Sequence, residues 1–173
     1  DFNLFDYAIS FERLNFGDRH LRYPFYLADK YYENDMKYAM KKHSFLEEER
    51  KEKTEFCSFV YSNKESDPHR DELLEKVNEY KKVNSGGRYK NNVGGPVENK
   101  FEFQKKHKFS IASENSCHIG YNTEKLVQSF SALTIPIYWG DPSIALDFNE
   151  KAFINCHNYK SFAQVIDRIK EID

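Results

Sequence analysis

The chain has little cysteine, no long apolar run and no excess charge of one sign. Its three cysteines, Cys57, Cys117 and Cys156, are odd in number and widely spaced. That fits neither a zinc site nor a disulfide framework and reads as a reducing compartment with packed thiols, not a catalytic one. Cys117 alone adjoins a polar loop, and His118 is the one base beside it. No stretch approaches the roughly 20 apolar residues of a membrane span. No signal-peptide pattern opens the chain at Asp1, so it reads as processed or as a fragment. P-loop, GxGxxG, HExxH and DxD-type patterns are missing, and with the last goes the usual argument for a nucleotide-bound metal. The net charge of −2 gives no general pull toward nucleic acid or anionic membrane.

What is present suits one domain, or one domain and a piece of another, in 173 residues. Charged residues make up 31%, so the surface is very wet, while 12 Tyr and 15 Phe supply core area beyond a modest aliphatic count. Residues 7–11 read as a short strand, and Asp18, Arg19, His20 and Arg22 form a polar cluster. A surface turn with local ion pairs is the preferred reading of that cluster; an anion contact by Arg19 or Arg22 is the minority one. Residues 29–53 are a block of mixed charge, the pattern of a solvated helix or a mobile connector.

From residue 56 the pattern alternates. Residues 56–62 read as a strand. Residues 67–80 read as a helix capped by Asp67, with Pro68 at its first position and Leu73, Leu74, Val77 and Tyr80 inward. Residues 83–96, with four glycines, three asparagines and a proline, read as a loop carrying Arg88 and Lys90. A short helix over 98–107 with Phe101 inward leads to a strand at 109–112. A helix capped by Asn122 or Thr123 follows, its apolar face Leu126, Val127, Phe130 and Leu133. Residues 135–139 are apolar nearly throughout, as in a parallel strand covered on both faces. A short strand at 153–155 and an amphipathic helix at 162–172, with Val165, Ile166 and Ile169 inward, close the series. The implied fold class is α/β, a Rossmann-like, mostly parallel sheet with helices on both faces. The expected division is 1–28 as a separate segment, 29–54 as a charged connector and 55–173 as the main domain.

The chemistry concentrates in residues 108–141. Glu114, Asn115, Tyr121, Thr123, Glu124 and Lys125 fall together in a loop and helix start after a strand, where such folds place ligands. The first N–H groups of a helix lack internal partners and carry partial positive charge, which suits a phosphate. Lys125 adds a cation, and fixed donors at that spot favour departure of a diphosphate. Glu124 suits the two vicinal hydroxyls of a ribose. The plainer alternatives stay open: Thr-Glu-Lys is also good helix-start chemistry, Glu114 could be a buried carboxylate held by N–H groups, and Tyr121 could simply pack.

The ordered set Glu114-Asn115, Tyr121-x-Thr123-Glu124-Lys125 and Ile135-Pro136-Ile137-Tyr138-Trp139-Gly140 resembles the signature of the α-1,3/4-fucosyltransferases, glycosyltransferase family 10, bacterial type. The likeness runs on through Pro142-Ser143, Asp147-Phe148 and 153–155, and includes Asp6–Ile9, Asp18-Arg19-His20-x-Arg22-x-Pro24 and the glycine loop. It implies the C-terminal half of a GT-B enzyme, binding GDP-fucose and transferring fucose to a GlcNAc-containing glycan with inversion and without a metal or other cofactor. It places ribose on Glu124 and phosphates on Lys125 and Lys90, where bacterial relatives have arginine. Asn115 and Tyr121 would line the nucleotide site; Thr123 and Glu114 belong to the same set, the role of Glu114 being less defined.

The family's base would lie upstream of the segment matching residues 1–9, so the chain is expected to lack it, to end before the last C-terminal elements, and to be inactive alone. A bacterial member would be cytoplasmic or peripheral at the inner membrane, a eukaryotic one a Golgi membrane protein. The alternatives are a GT-B transferase using another nucleotide sugar and, from other classes, a nucleic-acid-binding module or a non-catalytic interaction domain. The nucleic-acid reading rests on Lys81, Lys82, Arg88, Lys90, Lys100, Lys105, Lys106 and Lys108 near aromatics.

Overall fold

The computed structural model describes residues 4–28, 37 and 51–173. Most of the charged block at 29–53 therefore lies outside the described residues. Its end does not: the Lys53 ammonium donates to the carbonyls of Lys105 and Ala132 at 2.9 and 2.7 Å.

Two parallel sheets are present among the described residues. The small one pairs β1 (Ala8–Ser10) with β2 (His20–Arg22). The large one holds β3 (Glu55–Phe59), β4 (Val83–Ser85), β5 (His107–Ser113), β6 (Ile135–Trp139) and β7 (Ile154–Asn155), in the order β4-β3-β5-β6-β7. Every pairing is parallel. The helices are α1 (His69–Tyr80), α2 (Lys100–Lys105), α3 (Glu124–Ser131) and α4 (Phe162–Ile172). The strand order reverses between β3 and β5. In an open α/β sheet that reversal leaves a crevice at the carboxyl ends of the two strands, because the loops leaving them turn to opposite faces.

Each face of the sheet has its own core. Cys57, Phe59, Phe109, Ile111, Ile137 and Ile154 point toward α1 and α4, where they meet Leu73, Val77, Val165 and Ile169. Each such fully buried side chain contributes about 1.5–3 kcal/mol, so this face carries most of the stability. The α3 face is smaller: Ala112, Leu126, Tyr138, Ile144 and Phe153. Serines serve where the α2 side comes close. Ser58 donates to Ser110 at 3.1 Å, and Gln104 reaches Ser110 at 2.7 Å.

Five expectations need correction. Residues 83–96 are not wholly loop, since Val83–Ser85 forms the edge strand β4. In α2 the inward residue is Gln104, with His107 just beyond it; Phe101 is half-buried. Leu133 lies past the end of α3 with φ +55°, because the helix stops at Ser131, whose hydroxyl turns back to Gln128 O at 2.9 Å. Asp67 holds the start of α1 from one position further out, accepting from His69 N–H at 3.0 Å while Pro68 takes the cap position. The Arg22 cluster is not a local turn: its partner is Asp147, 125 positions away.

Candidate functional site

The site begins where β5 ends. Glu114 continues the line of the strand, its N–H donating to Trp139 O at 2.8 Å, and its side chain is fully buried. Gly140 makes room for it, since a Cβ there would come within 2.5 Å of Glu114 Cγ. The carboxylate takes three donors from the start of α3: Thr123 N–H at 2.8 Å, the Thr123 hydroxyl at 2.6 Å and Lys125 Nζ at 3.0 Å. Lys125 also reaches Thr123 Oγ1 at 2.8 Å and stands 3.5 Å from Glu124 Oε1. Thr123 is thus held by Glu114 instead of capping the helix with its own side chain, and no side-chain cap bond forms.

The electrostatics follow from this packing. Burial pushes the Glu114 pKa above the ordinary carboxylate value, against the pull of Lys125 and Thr123. Burial works against the Lys125 ammonium too, but Glu114 and Glu124 outweigh it and raise its pKa. Glu124 is opposed by burial and favoured by Lys125 and Lys100, which bring it down to about 2. Lys125 is therefore a shared cation between two carboxylates. Its charge is largely answered within the fold.

One cation without such an answer among the described residues was not anticipated from sequence. Arg70, at the start of α1, is fully buried. Among the described residues no carboxylate stands within ion-pair distance of it. One arm donates to Asn115 Oδ1 at 3.3 Å, the other to Asn63 O at 2.8 Å, and Nε has no hydrogen-bond partner. Its plane lies between the Tyr61 and Tyr89 rings, 4.8 and 5.2 Å from their centroids. Arg70 and Asn115 leave β3 and β5, the two strands flanking the switch in order, so their hydrogen bond crosses the crevice. The Asp67 N–H crosses it too, to Asn115 O at 2.8 Å. A buried guanidinium with no counter-ion is costly to the fold, and an anion would relieve it. The helix-start position among polar neighbours gave Arg70 the look of a surface residue in sequence.

The other expected residues divide. Asn115 is in the crevice. Tyr121 is half-buried and packs edge-on against Phe11 and Phe25, with centroids 5.6 and 5.7 Å away. Lys90, at φ +48°, is turned to α1 and binds Asp71 at 3.1 Å and Glu75 at 3.3 Å. It leaves β4, one strand outside the switch, so no described contact joins it to Lys125. Cys117 is exposed, not packed, and burial with nearby Asp67 and Asp141 raises its pKa, the reverse of an activated thiol. Within the basic run, Lys81, Lys90, Lys105 and Lys108 are ion-paired, with Asp173, Asp71, Glu52 and Asp173. Beside the crevice Trp139 stacks with two imidazoles, His69 at 5.0 Å and His157 at 6.1 Å. His69 Nδ1 is 2.6 Å from Asp67 Oδ1. No helix among the described residues is long and apolar enough to cross a membrane.

A parallel sheet with helices on both faces, a reversal of strand order and an acid–cation helix start beside it defines the Rossmann-like class of α/β domain, the fold of GT-B glycosyltransferases. Within that class the chain belongs to glycosyltransferase family 10. Residues 50–173 match the family's fucosyltransferase C-terminal model, and residues 1–29 match the α-(1,3)-fucosyltransferase FucT N-terminal domain. The chain is 40% identical to α-(1,3)-fucosyltransferase FucT of Helicobacter pylori over 98% of its own length and 41% of that protein's. It is 33% identical to a putative fucosyltransferase, R654, of Acanthamoeba polyphaga mimivirus over 71% of its length and 22% of that protein's. Among solved structures, an α1,3-fucosyltransferase with GDP-fucose superposes with a TM-score of 0.85 at 38% identity, covering 99% of this chain and 59% of that one. The same comparison with an α1,3-fucosyltransferase bound to GDP gives 0.85 at 36% identity, covering 99% and 58%. The chain thus spans less than half the length of the curated relatives it matches.

Proposed function

We propose that this chain supplies the donor-binding side of an α-1,3-fucosyltransferase that moves fucose from GDP-fucose to a GlcNAc-containing glycan with inversion. The observation that carries the reading is Arg70, a buried cation with no ion-pair partner among the described residues, set across the β3–β5 crevice from Asn115 in a chain of this family. The diphosphate would settle between Arg70 and the first N–H groups of α3, with Tyr89 the cover that it displaces. Glu124, held ionised, would accept the ribose hydroxyls.

As the sugar–oxygen bond breaks, negative charge builds on the leaving diphosphate. Donors already in place stabilise that charge without reorganising. Arg70 supplies a fork that matches two phosphate oxygens, which an ammonium cannot. Lys125 contributes less directly, since Glu114 and Thr123 already occupy two of its hydrogens. In this account side-chain cations and helix N–H groups meet the charge, so the transfer is expected to proceed in the presence of a chelator. The acceptor's base is not assigned to any residue described here.

The test is calorimetric titration of the chain with GDP, UDP and their sugars. Binding of GDP and GDP-fucose with weaker UDP binding supports the reading. A preference for UDP would overturn it in favour of a GT-B transferase using another nucleotide sugar. No nucleotide binding at all would favour an interaction domain.

A further inference from the structure

The family likeness runs on through Asp147-Phe148, yet this pair lies outside the crevice and the donor chemistry leaves it without a task. The structure gives it four donors. Arg22 grips it with both arms, at 2.9 Å to Oδ1 and 2.7 Å to Oδ2. Arg13 reaches Oδ2 at 2.8 Å, and Asn122 Nδ2 donates to the same oxygen at 2.7 Å. The Asp147 side chain is only 8% exposed. Arg13 also donates to Ser143 Oγ at 2.8 Å.

Two guanidiniums would be enough to dock residues 4–28 onto the main sheet. The bond to Asn122 is a separate matter, because Asn122 immediately precedes Thr123 and the first turn of α3. Asn122 is buried and held on every side. Its Oδ1 accepts from the Tyr138 hydroxyl at 3.1 Å, and its carbonyl accepts from Tyr26 N–H at 3.2 Å. Tyr26 belongs to the docked segment, and its ring packs on Phe148 at 5.3 Å. Besides the packing of Phe11 and Phe25 on Tyr121, segment 4–28 therefore reaches the approach to α3 through Tyr26 and through the Arg22–Asp147–Asn122 relay.

We propose that Asp147 is a positioning residue for the donor site: it links segment 4–28, through Arg13 and Arg22, to Asn122 and so fixes the backbone at residues 122–125. Thr123 and Lys125 meet Glu114 in the observed geometry only while Asn122 is held. The inference rests on the donor site proposed above for its consequence, but its structural content can be read without a ligand.

The experiment compares the wild-type chain with Asp147→Asn, Arg22→Gln, Arg22→Lys and, as control, Arg19→Gln. Arg19 donates to the carbonyls of Phe5 and Asp6 within the segment and does not contact Asp147 in any described bond. Amide hydrogen exchange at residues 122–125 is the first readout and GDP affinity the second. Asp147→Asn and Arg22→Gln should speed exchange at those amides and weaken GDP binding about three- to tenfold. Arg22→Lys, which keeps the charge and loses the fork, should fall between, and Arg19→Gln should match wild type in both. Unchanged exchange at 122–125 in both Asp147→Asn and Arg22→Lys overturns the proposal, and so does equal acceleration in Arg19→Gln. Altered exchange in a wild-type background that binds no GDP would keep the relay and refute the donor site instead.

Discussion

Replacing Arg70 by methionine is expected to separate stability from binding. The guanidinium is buried with no ion-pair partner among the described residues, so an apolar side chain of similar length should leave the melting temperature unchanged or raise it. GDP affinity should fall by about 1.5–3 kcal/mol, the scale of a hydrogen bond to a charged group. Calorimetry with thermal melts on the same sample reads both, and a lowered melting temperature with intact binding would make Arg70 merely structural. Lys125→Ala should behave in the opposite way. It strands a fully buried Glu114, and breaking a buried pair typically costs about 3–5 kcal/mol of stability. Glu124→Ala removes a partly buried carboxylate and should weaken nucleotide binding by about 1–3 kcal/mol. Residue types and spacing made the Glu114–Lys125 set legible in sequence. They could not show that Lys125 is shared between two acids, nor that Arg70 is without one, because both facts depend on which strands become neighbours.

At the scale of elements, legibility followed the number of residues that repeat a pattern. The strand at 135–139 and the helix at 162–172 have the bounds expected of them, since each is long enough for its period to show. The edge strand β4 has three residues and runs straight into Gly86-Gly87, so turn chemistry masked it. Those glycines have different work. A Cβ at Gly87 would overlap the Tyr61 main chain, where the glycine loop lies against the end of β3. Gly87→Ala is expected to destabilise the chain by about 1–3 kcal/mol through forced backbone displacement, measurable as a lowered denaturant midpoint with an unchanged slope. A silent substitution would mean that the loop can stand away from β3 without loss.

For the molecule as a whole, the buried His107 and the half-buried His157 bear on the acid side of its stability. Burial lowers the pKa of His107, which bonds Phe103 O through Nδ1 and faces Asn84 through Nε2. Burial lowers that of His157 as well. In both cases the unfolded chain binds the proton more readily than the folded one. Stability should thus be full above the unfolded value of about 6.5 and decline as pH falls below it. Melting followed from pH 8 to 5 should show this slope, and His107→Gln should flatten it; a slope unchanged in that variant would assign it elsewhere. The fold class was legible from alternation alone. The crevice was not, because strand order is a property of the assembled sheet and the sequence carries only the order of the strands along the chain.

The stack of His69, Trp139 and His157 has an optical consequence. Trp139 is the only tryptophan of the chain, so all of the indole emission originates beside the crevice. Both imidazoles stack on its indole, with centroids 5.0 and 6.1 Å away. Intrinsic fluorescence is then a label-free meter of the site, and nucleotide titrations can be followed by it without altering a single residue.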